Sequence, residues 1–298
     1  MAKSTAKDTT MDKVFMFFVY TILSVVLLCI IYPMYFTVIA SFSDPQAVYQ
    51  GRVILFPKGF TVEGYQRLMM DPAIPRGYLN TIIITLLGTS ISVFLTMIAA
   101  FALSNRRLFF RRFFTGFFAF TMFFNGGMIP TYILVRNLKM INTFWALILP
   151  GCVGAWNLFL VRTFYTSTIP HELYEAAVID GSSVTTYYYK IVLPLSQAII
   201  SVMILYYGVG YWNLFFPALL YIRDEVLYPL QMVLRNIILA NESLAMSDLD
   251  AETVAARQRI VDLLKYSSMI VASVPLLVAY PFLQKYFGQG VMVGSIKG

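Results

Sequence analysis

The chain has 298 residues, 59% hydrophobic and 12% charged, with a formal net charge of +7 and a mean hydropathy of +0.72. Charge at about half the usual globular level excludes a pair of soluble domains and indicates a polytopic membrane protein. The positive balance fits a cytoplasmic Lys/Arg excess better than nucleic-acid binding, and Cys29 and Cys152, in or beside apolar runs, suggest neither a disulfide framework nor a metal site.

Residues 1–13 are polar and carry Lys3, Lys7 and Lys13. The apolar run Val14 to Ala40 is too long for the core of a signal peptide and lacks a convincing cleavage site, so it reads as an uncleaved first span entering from the cytoplasm. Residues 41–78 read as an outside loop with Pro45, Pro57, Pro72 and Pro75. Within it Val62, Tyr65, Leu68 and Met69 share one face of a short interfacial or packing helix. Span two is expected over about 80–104. Arg106, Arg107, Arg111 and Arg112 follow it, a topological marker first and a basic patch for anionic lipid second.

Span three, about 113–135, contains Asn125-Gly126-Gly127 and Pro130. Such interruptions face a cavity or a neighbouring helix, which makes Asn125 a substrate-path candidate against simple helix packing. Arg136 and Lys139 mark a short outside turn. Span four, about 144–161, holds Pro150, Gly151 and Gly154, then the candidates Trp156 and Asn157.

Residues 162–194 form a polar loop. Pro170 can open a helix, with Ser167 and Thr168 as capping candidates. Leu173, Ala176 and Ala177 lie on one side of it, and Glu175 and Asp180 face solvent or a partner. Gly181 permits a left-handed end. Ser182 or Ser183 caps a second short helix through Tyr187, Tyr188 and Tyr189, which Pro194 is expected to end. The only histidine, His171, has no catalytic or metal-ligand pattern around it.

Span five, about 195–220, carries Tyr206, Tyr207, Tyr211, Trp212 and Asn213; an aromatic belt with helix packing accounts for them, as does a ligand path. Residues 221–262 read as a large outside loop with an acidic patch at Asp248, Asp250 and Glu252 and helical patterns at Leu230 to Leu239 and Val254 to Leu264. Span six, about 264–287, contains Pro275 and Pro281. Lys and Arg divide evenly between the two sides, but short loops decide, and the 105–112 loop puts both termini in the cytoplasm. No G-x-x-x-x-G-K-[ST] occurs, so ATP chemistry is not supplied by this chain. No mid-span charges and no evident inverted repeats occur, which weighs against a secondary transporter. An intramembrane enzyme would need a His, Asp or Ser constellation within a span, and there is none.

The spacing Glu175-Ala176-Ala177, three residues, Gly181, nine residues, Ile191, one residue, Leu193-Pro194 matches the EAA motif of ATP-binding-cassette (ABC) importer permeases. Further stretches resemble the maltose-type carbohydrate branch: PKGFTVEGYQRLM in the first outside loop, Trp212-Asn213 with Pro217, and the tail QKYFGQGVMVGSIKG. YPLQMVLRNIILA is similar to permeases for larger oligosaccharides. The resemblance implies an all-α polytopic protein with six transmembrane helices, the type I importer permease (MetI-like) fold, as one domain over residues 1–298. It implies a transport subunit, not an enzyme, in a bacterial cytoplasmic membrane. The polar loop would form coupling helices, with Glu175 for polar contact, Ala176 and Ala177 for close packing, Gly181 for the turn, and Ile191, Leu193 and Pro194 completing the motif. The implied partners are a second homologous permease, two ATPase subunits that bind ATP and Mg, an extracytoplasmic solute-binding protein, membrane lipid and a carbohydrate. No cofactor, metal or nucleic acid is expected on this chain. On this reading Tyr207, Tyr211, Trp212 and Asn213 offer rings and amide groups to a sugar, the large second loop is a landing surface for the binding protein, and a non-sugar solute is the alternative.

Overall fold

A capping box opens the first helix: Thr9 N–H donates to Asp12 Oδ2 at 2.9 Å and Asp12 N–H to Thr9 Oγ1 at 3.3 Å. The computed structural model describes residues 9–245 and 251–294, with side chains at 9–240 and 258–281. Its regular elements are helices: α1 Thr10–Ser41, α2 Pro45–Tyr49, α3 Glu63–Met70, α4 Ala73–Ser104, α5 Arg111–Phe123, α6 Met128–Asn137, α7 Trp145–Ile148, α8 Ala155–Thr168, α9 His171–Ile179, α10 Val184–Tyr187, α11 Leu193–Leu195, α12 Gln197–Trp212, α13 Phe216–Tyr221, α14 Leu230–Ala245 and α15 Ala251–Gly294. Lys3, Lys7, Asp248 and Asp250, the side chain of Glu252, and the end of the carboxyl tail lie outside the described residues.

Among the described residues three stretches are long and apolar enough to cross a membrane: Thr10–Ser41, Ala73–Ser104 and Gln258–Pro281. Three more qualify only as bent pairs: α5 with α6 at 115°, Trp145–Gly151 with α8 at 52°, and Val184–Leu195 with α12 at 79°. The third span is interrupted as expected, whereas the fourth and fifth are not the continuous rods expected. The third breaks at Asn125-Gly126-Gly127, the fourth at the Pro150-Gly151 turn, and the fifth at Ser196. The fifth also ends early. Asn213 closes α12 at Trp212, and Pro217 sits in the first turn of a separate α13.

Two other boundaries differ. Span two starts earlier than expected, because Asp71 Oδ1 accepts from Ala73 N–H at 2.8 Å and Pro75 falls in the first turn, where no donor is needed. The Val254 to Leu264 pattern and span six are one helix, α15, since no Gly or Pro separates them. Pro275 and Pro281 lie inside it without ending it.

The chain divides into two compact units. In the first, residues 1–70 and 238–271, Tyr65 of α3 donates to Ser41 Oγ at 2.7 Å, and Phe42 stacks on Phe60. Arg259 closes an ion pair with Asp44 at 2.8 Å. In the second, residues 71–237 and 272–298, α4 packs on both α8 and α12. Its core holds Ile84, Met97, Leu158, Val161 and Met203, all essentially inaccessible.

Hydroxyls along α4 receive the groups packed against it. Thr81 Oγ1 accepts from Leu230 N–H at 2.8 Å, Ser92 Oγ pairs with the Tyr211 hydroxyl at 2.9 Å, and Thr96 Oγ1 pairs with that of Tyr207 at 2.7 Å. In hydrocarbon these bonds matter because no water replaces them. Gly88 lets the Tyr211 ring lie against the α4 backbone; a Cβ there would meet the ring at 2.8 Å. Gly88→Val is expected to cost about 1–3 kcal/mol by overpacking a ring that cannot retreat. A lowered midpoint of thermal unfolding in detergent checks this, and an unchanged midpoint contradicts it.

Candidate functional site

The polar loop after α8 is built by capping. Pro170 precedes α9 in extended conformation with no side-chain cap. Ser167, expected as a cap, instead donates to Thr163 O at 2.9 Å, because it is still inside α8, where a serine bonds the carbonyl four residues back. At the other end Gly181 N–H donates to Val178 O at 3.1 Å and Ser182 N–H to Ala177 O at 2.9 Å, a Schellman turn with Gly181 at φ +71°. Ser183 Oγ then accepts from Thr186 N–H at 3.1 Å and starts α10. The chain passes through a π turn, Tyr188–Val192, into α11. Pro194 sits in the first turn of α11 and does not end the helix at itself; the break comes at Ser196.

The inner side of this loop is locked to the end of α4. Phe101 lies 4.7 Å from the Tyr188 ring, 6.2 Å from Tyr187 and 6.3 Å, edge-on, from Tyr165. Tyr174 meets Tyr187 edge-on at 5.2 Å, and the Arg107 guanidinium sits over the Tyr174 ring at 5.5 Å. Ala177 belongs to this inner side, 5% exposed, so its close packing is within the chain. Glu175, Ala176 and Asp180 face out, Glu175 lying 3.8 Å from His171 on the next turn. Ile191 and Leu193 are half-buried and Pro194 is exposed.

Residues not singled out from the sequence join the outer face: Ile179, 85% exposed, with Val178 and Val184. These apolar side chains stand open on an otherwise polar loop. Their signal was available as Val178-Ile179 directly before Asp180-Gly181.

The span candidates separate into two groups. Tyr207 and Tyr211 are buried and committed. Besides its bond to Thr96, the Tyr207 hydroxyl accepts from Gly154 N–H at 3.2 Å, and Tyr211 donates to Ile148 O at 3.2 Å. Both line a cavity of about 350 Å³ with Tyr206, Pro150, Gly151 and Leu214. Trp212 donates its indole N–H to Ala272 O at 2.9 Å and lines a different, apolar cavity of about 900 Å³. Asn213 donates to Val209 O at 3.0 Å and accepts from Gln231 at 3.4 Å. Trp156 is 65% exposed, Asn157 is half-buried, and Asn125 serves the turn at the α5–α6 break, accepting from Gly127 N–H at 2.9 Å. Tyr207 and Tyr211 thus share a cavity with Tyr206. The residues sequence reading missed are their partners on α4; polar residues Thr81, Thr85, Thr89, Ser92 and Thr96, three or four apart along one apolar helix, were the readable trace.

Bent spans around a hydroxyl-braced core, with a glycine-locked helical knob outside it, define a polytopic transport subunit. The chain is 39% identical over 269 residues to Protein LplC of Bacillus subtilis, covering 90% of each. It is 35% identical over 289 residues to the polygalacturonan/rhamnogalacturonan transport system permease protein YtcP of the same organism, covering 96% of this chain and 99% of that one. A subunit in the crystal structure of a bacterial ABC transporter involved in import of the acidic polysaccharide alginate superposes with a TM-score of 0.81 at 29% identity, over 94% of this chain and 99% of that one. No protein-family model matches. The chain belongs to the family of ABC transporter permease subunits, proteins embedded in the membrane.

Because the Tyr211 hydroxyl holds α12 to both α4 and the fourth span, Tyr211→Phe is expected to lower stability by about 1–2 kcal/mol. Trp156→Ala, at an exposed position, should stay within about 0.5 kcal/mol. Thermal unfolding in detergent checks both; equal effects would remove the distinction between bracing and free rings.

Proposed function

We propose that this chain is the permease subunit of an ATP-driven importer for acidic oligosaccharides and that the outer face of α9 and α10 is where a separate ATPase subunit drives it. The observation that carries the reading is the loop itself: Glu175, Ala176 and Ile179 face out from a helix whose Tyr174 packs on Tyr187, which Phe101 of α4 holds in turn, and whose end is fixed by Gly181. A push on that face reaches the spans without being absorbed by the loop.

In this reading residues 1–298 work as one permease domain with both termini in the cytoplasm. Its assembly contains a second homologous permease, two ATPase subunits that hold ATP and Mg and perform the hydrolysis, and an extracytoplasmic solute-binding protein. No cofactor binds to this chain. ATP closure of the ATPase pair carries the loop with it and the spans rock outward to accept the carbohydrate; hydrolysis resets them. Only a few kcal/mol separate two such states. The cavity beside Tyr206, Tyr207 and Tyr211 and the exposed Trp156 are this chain's offering to the sugar path. Uronate-containing substrates are favoured by what two of its relatives are named for, a polygalacturonan and alginate.

Purification of the tagged chain with its bound subunits should recover a second permease and an ATPase, whose hydrolysis rises when binding protein and oligogalacturonate are added together. Gly181→Asp, forcing a side chain into the left-handed conformation and a charge onto the face, should leave the chain in the membrane and abolish sugar uptake. A chain that moves solute alone without ATP, or normal uptake by the variant, would overturn the proposal.

A further inference from the structure

Beneath the coupling loop lies a polar cavity of about 520 Å³, walled by the end of α4, the arginine loop, α8 and the first turn of α9. Arg106, Arg111 and Arg162 all line it, with Ser104, Asn105 and Thr163 adding neutral hydrogen-bonding groups. Arg111 Nε donates to Leu103 O at 3.0 Å, and Arg162 Nε donates to the same oxygen at 3.2 Å. Two guanidiniums are thereby pinned side by side, although they arrive from different helices.

That carbonyl belongs to the last turn of α4, where the helix dipole offers about half a negative charge. It offsets only part of two full positive charges. Among the described residues the ion pairs are Arg67 with Glu63, His171 with Glu175, and Arg259 with Asp44; none includes an arginine of this cavity. Glu172 also lines the cavity without pairing to them. Each pinned guanidinium spends its Nε on Leu103 and keeps two terminal nitrogens for another acceptor, the fork that suits phosphate oxygens.

We propose that this cavity binds a phosphate-bearing anion, either the headgroup of an anionic phospholipid or a free phosphate. The ligand bridges the arginine loop to the coupling loop. The cavity sits where α4 and α8 end and α5 begins, the level at which headgroups meet a polytopic chain's cytoplasmic side. The proposal rests on the proposed topology only for that placement; the charge geometry stands without it. A bound anion would relieve the repulsion between Arg111 and Arg162 and fasten the root of the helix on which the ATPase is proposed to act.

The test uses the chain, purified with its bound subunits, in nanodiscs of phosphatidylcholine alone or with phosphatidylglycerol, compared by native mass spectrometry for retained lipid. Inorganic phosphate is titrated separately into the phosphatidylcholine discs. Arg106→Gln removes an exposed charge that makes no bond to the fold; Arg111→Gln and Arg162→Gln remove the pinned pair. A lipid site predicts selective retention of phosphatidylglycerol, falling about fivefold for each arginine removed. A free-phosphate site predicts saturable phosphate binding in the neutral discs with the same dependence. Retention indifferent to headgroup charge together with no saturable phosphate binding in the neutral discs, or anion binding that Arg106→Gln leaves unchanged, would overturn the proposal. So would loss of the ATPase from that variant with anion binding intact, which would make the cavity part of the subunit interface. Because binding is read without transport, failure here is distinguishable from failure of the importer reading.

Discussion

The contact of Phe101 with Tyr188, ring centroids 4.7 Å apart, is the joint on which the rest of the structure depends. It lies where the longest helix of the second unit, α4, meets the polar loop of residues 162–194. Tyr165 and Tyr187 close around the same ring, and Arg107 covers Tyr174. Aromatic contacts of this kind add about 0.5–1.5 kcal/mol each beyond the area they bury. A cluster of them makes the loop part of α4, not a tether hanging from it. The Schellman turn at Gly181 fixes the other end.

Further into the membrane the same helix is held by hydroxyls. Ser92 and Thr96 meet Tyr211 and Tyr207, and these tyrosines extend to Ile148 O and Gly154 N–H in the broken fourth span. The breaks expose backbone groups, which a membrane protein must satisfy from within. The tyrosines both satisfy those groups and join three spans. Under the proposed function, motion entering at the loop would be passed to this braced assembly, and whole spans would move together.

Much of this was legible in the sequence because it is local. Gly181 and Ser183 carry their roles in their own residue types and in their spacing, and Asn125-Gly126-Gly127 announced the broken third span. What was not legible depends on distant partners. Ala176 and Ala177 are adjacent and chemically identical, yet only Ala177 faces inward; the rings that define inward come from α4 and α10. For Tyr207 and Tyr211 the sequence left both helix packing and a ligand path open, and it is Thr96 and Ser92, distant in the chain, that hold their hydroxyls. The early end of α12 followed from Asn213 and Pro217, whose breaking effect was masked by the apolar run around them. The union of the second loop's last helix with span six reflects the lack of any breaker between them, a signal outweighed by the drop in hydropathy.

The most direct measurement is disulfide crosslinking from single cysteines, with Cys29 and Cys152 replaced. Cysteines at Ala176 and Ile179 should crosslink to a cysteine-bearing ATPase subunit in the assembled transporter, while one at Ala177, buried against the chain's own rings, should not. A crosslink from Ala177 as strong as those from its outer neighbours, or none from Ala176 and Ile179, would contradict the claim that this face is where force enters the membrane.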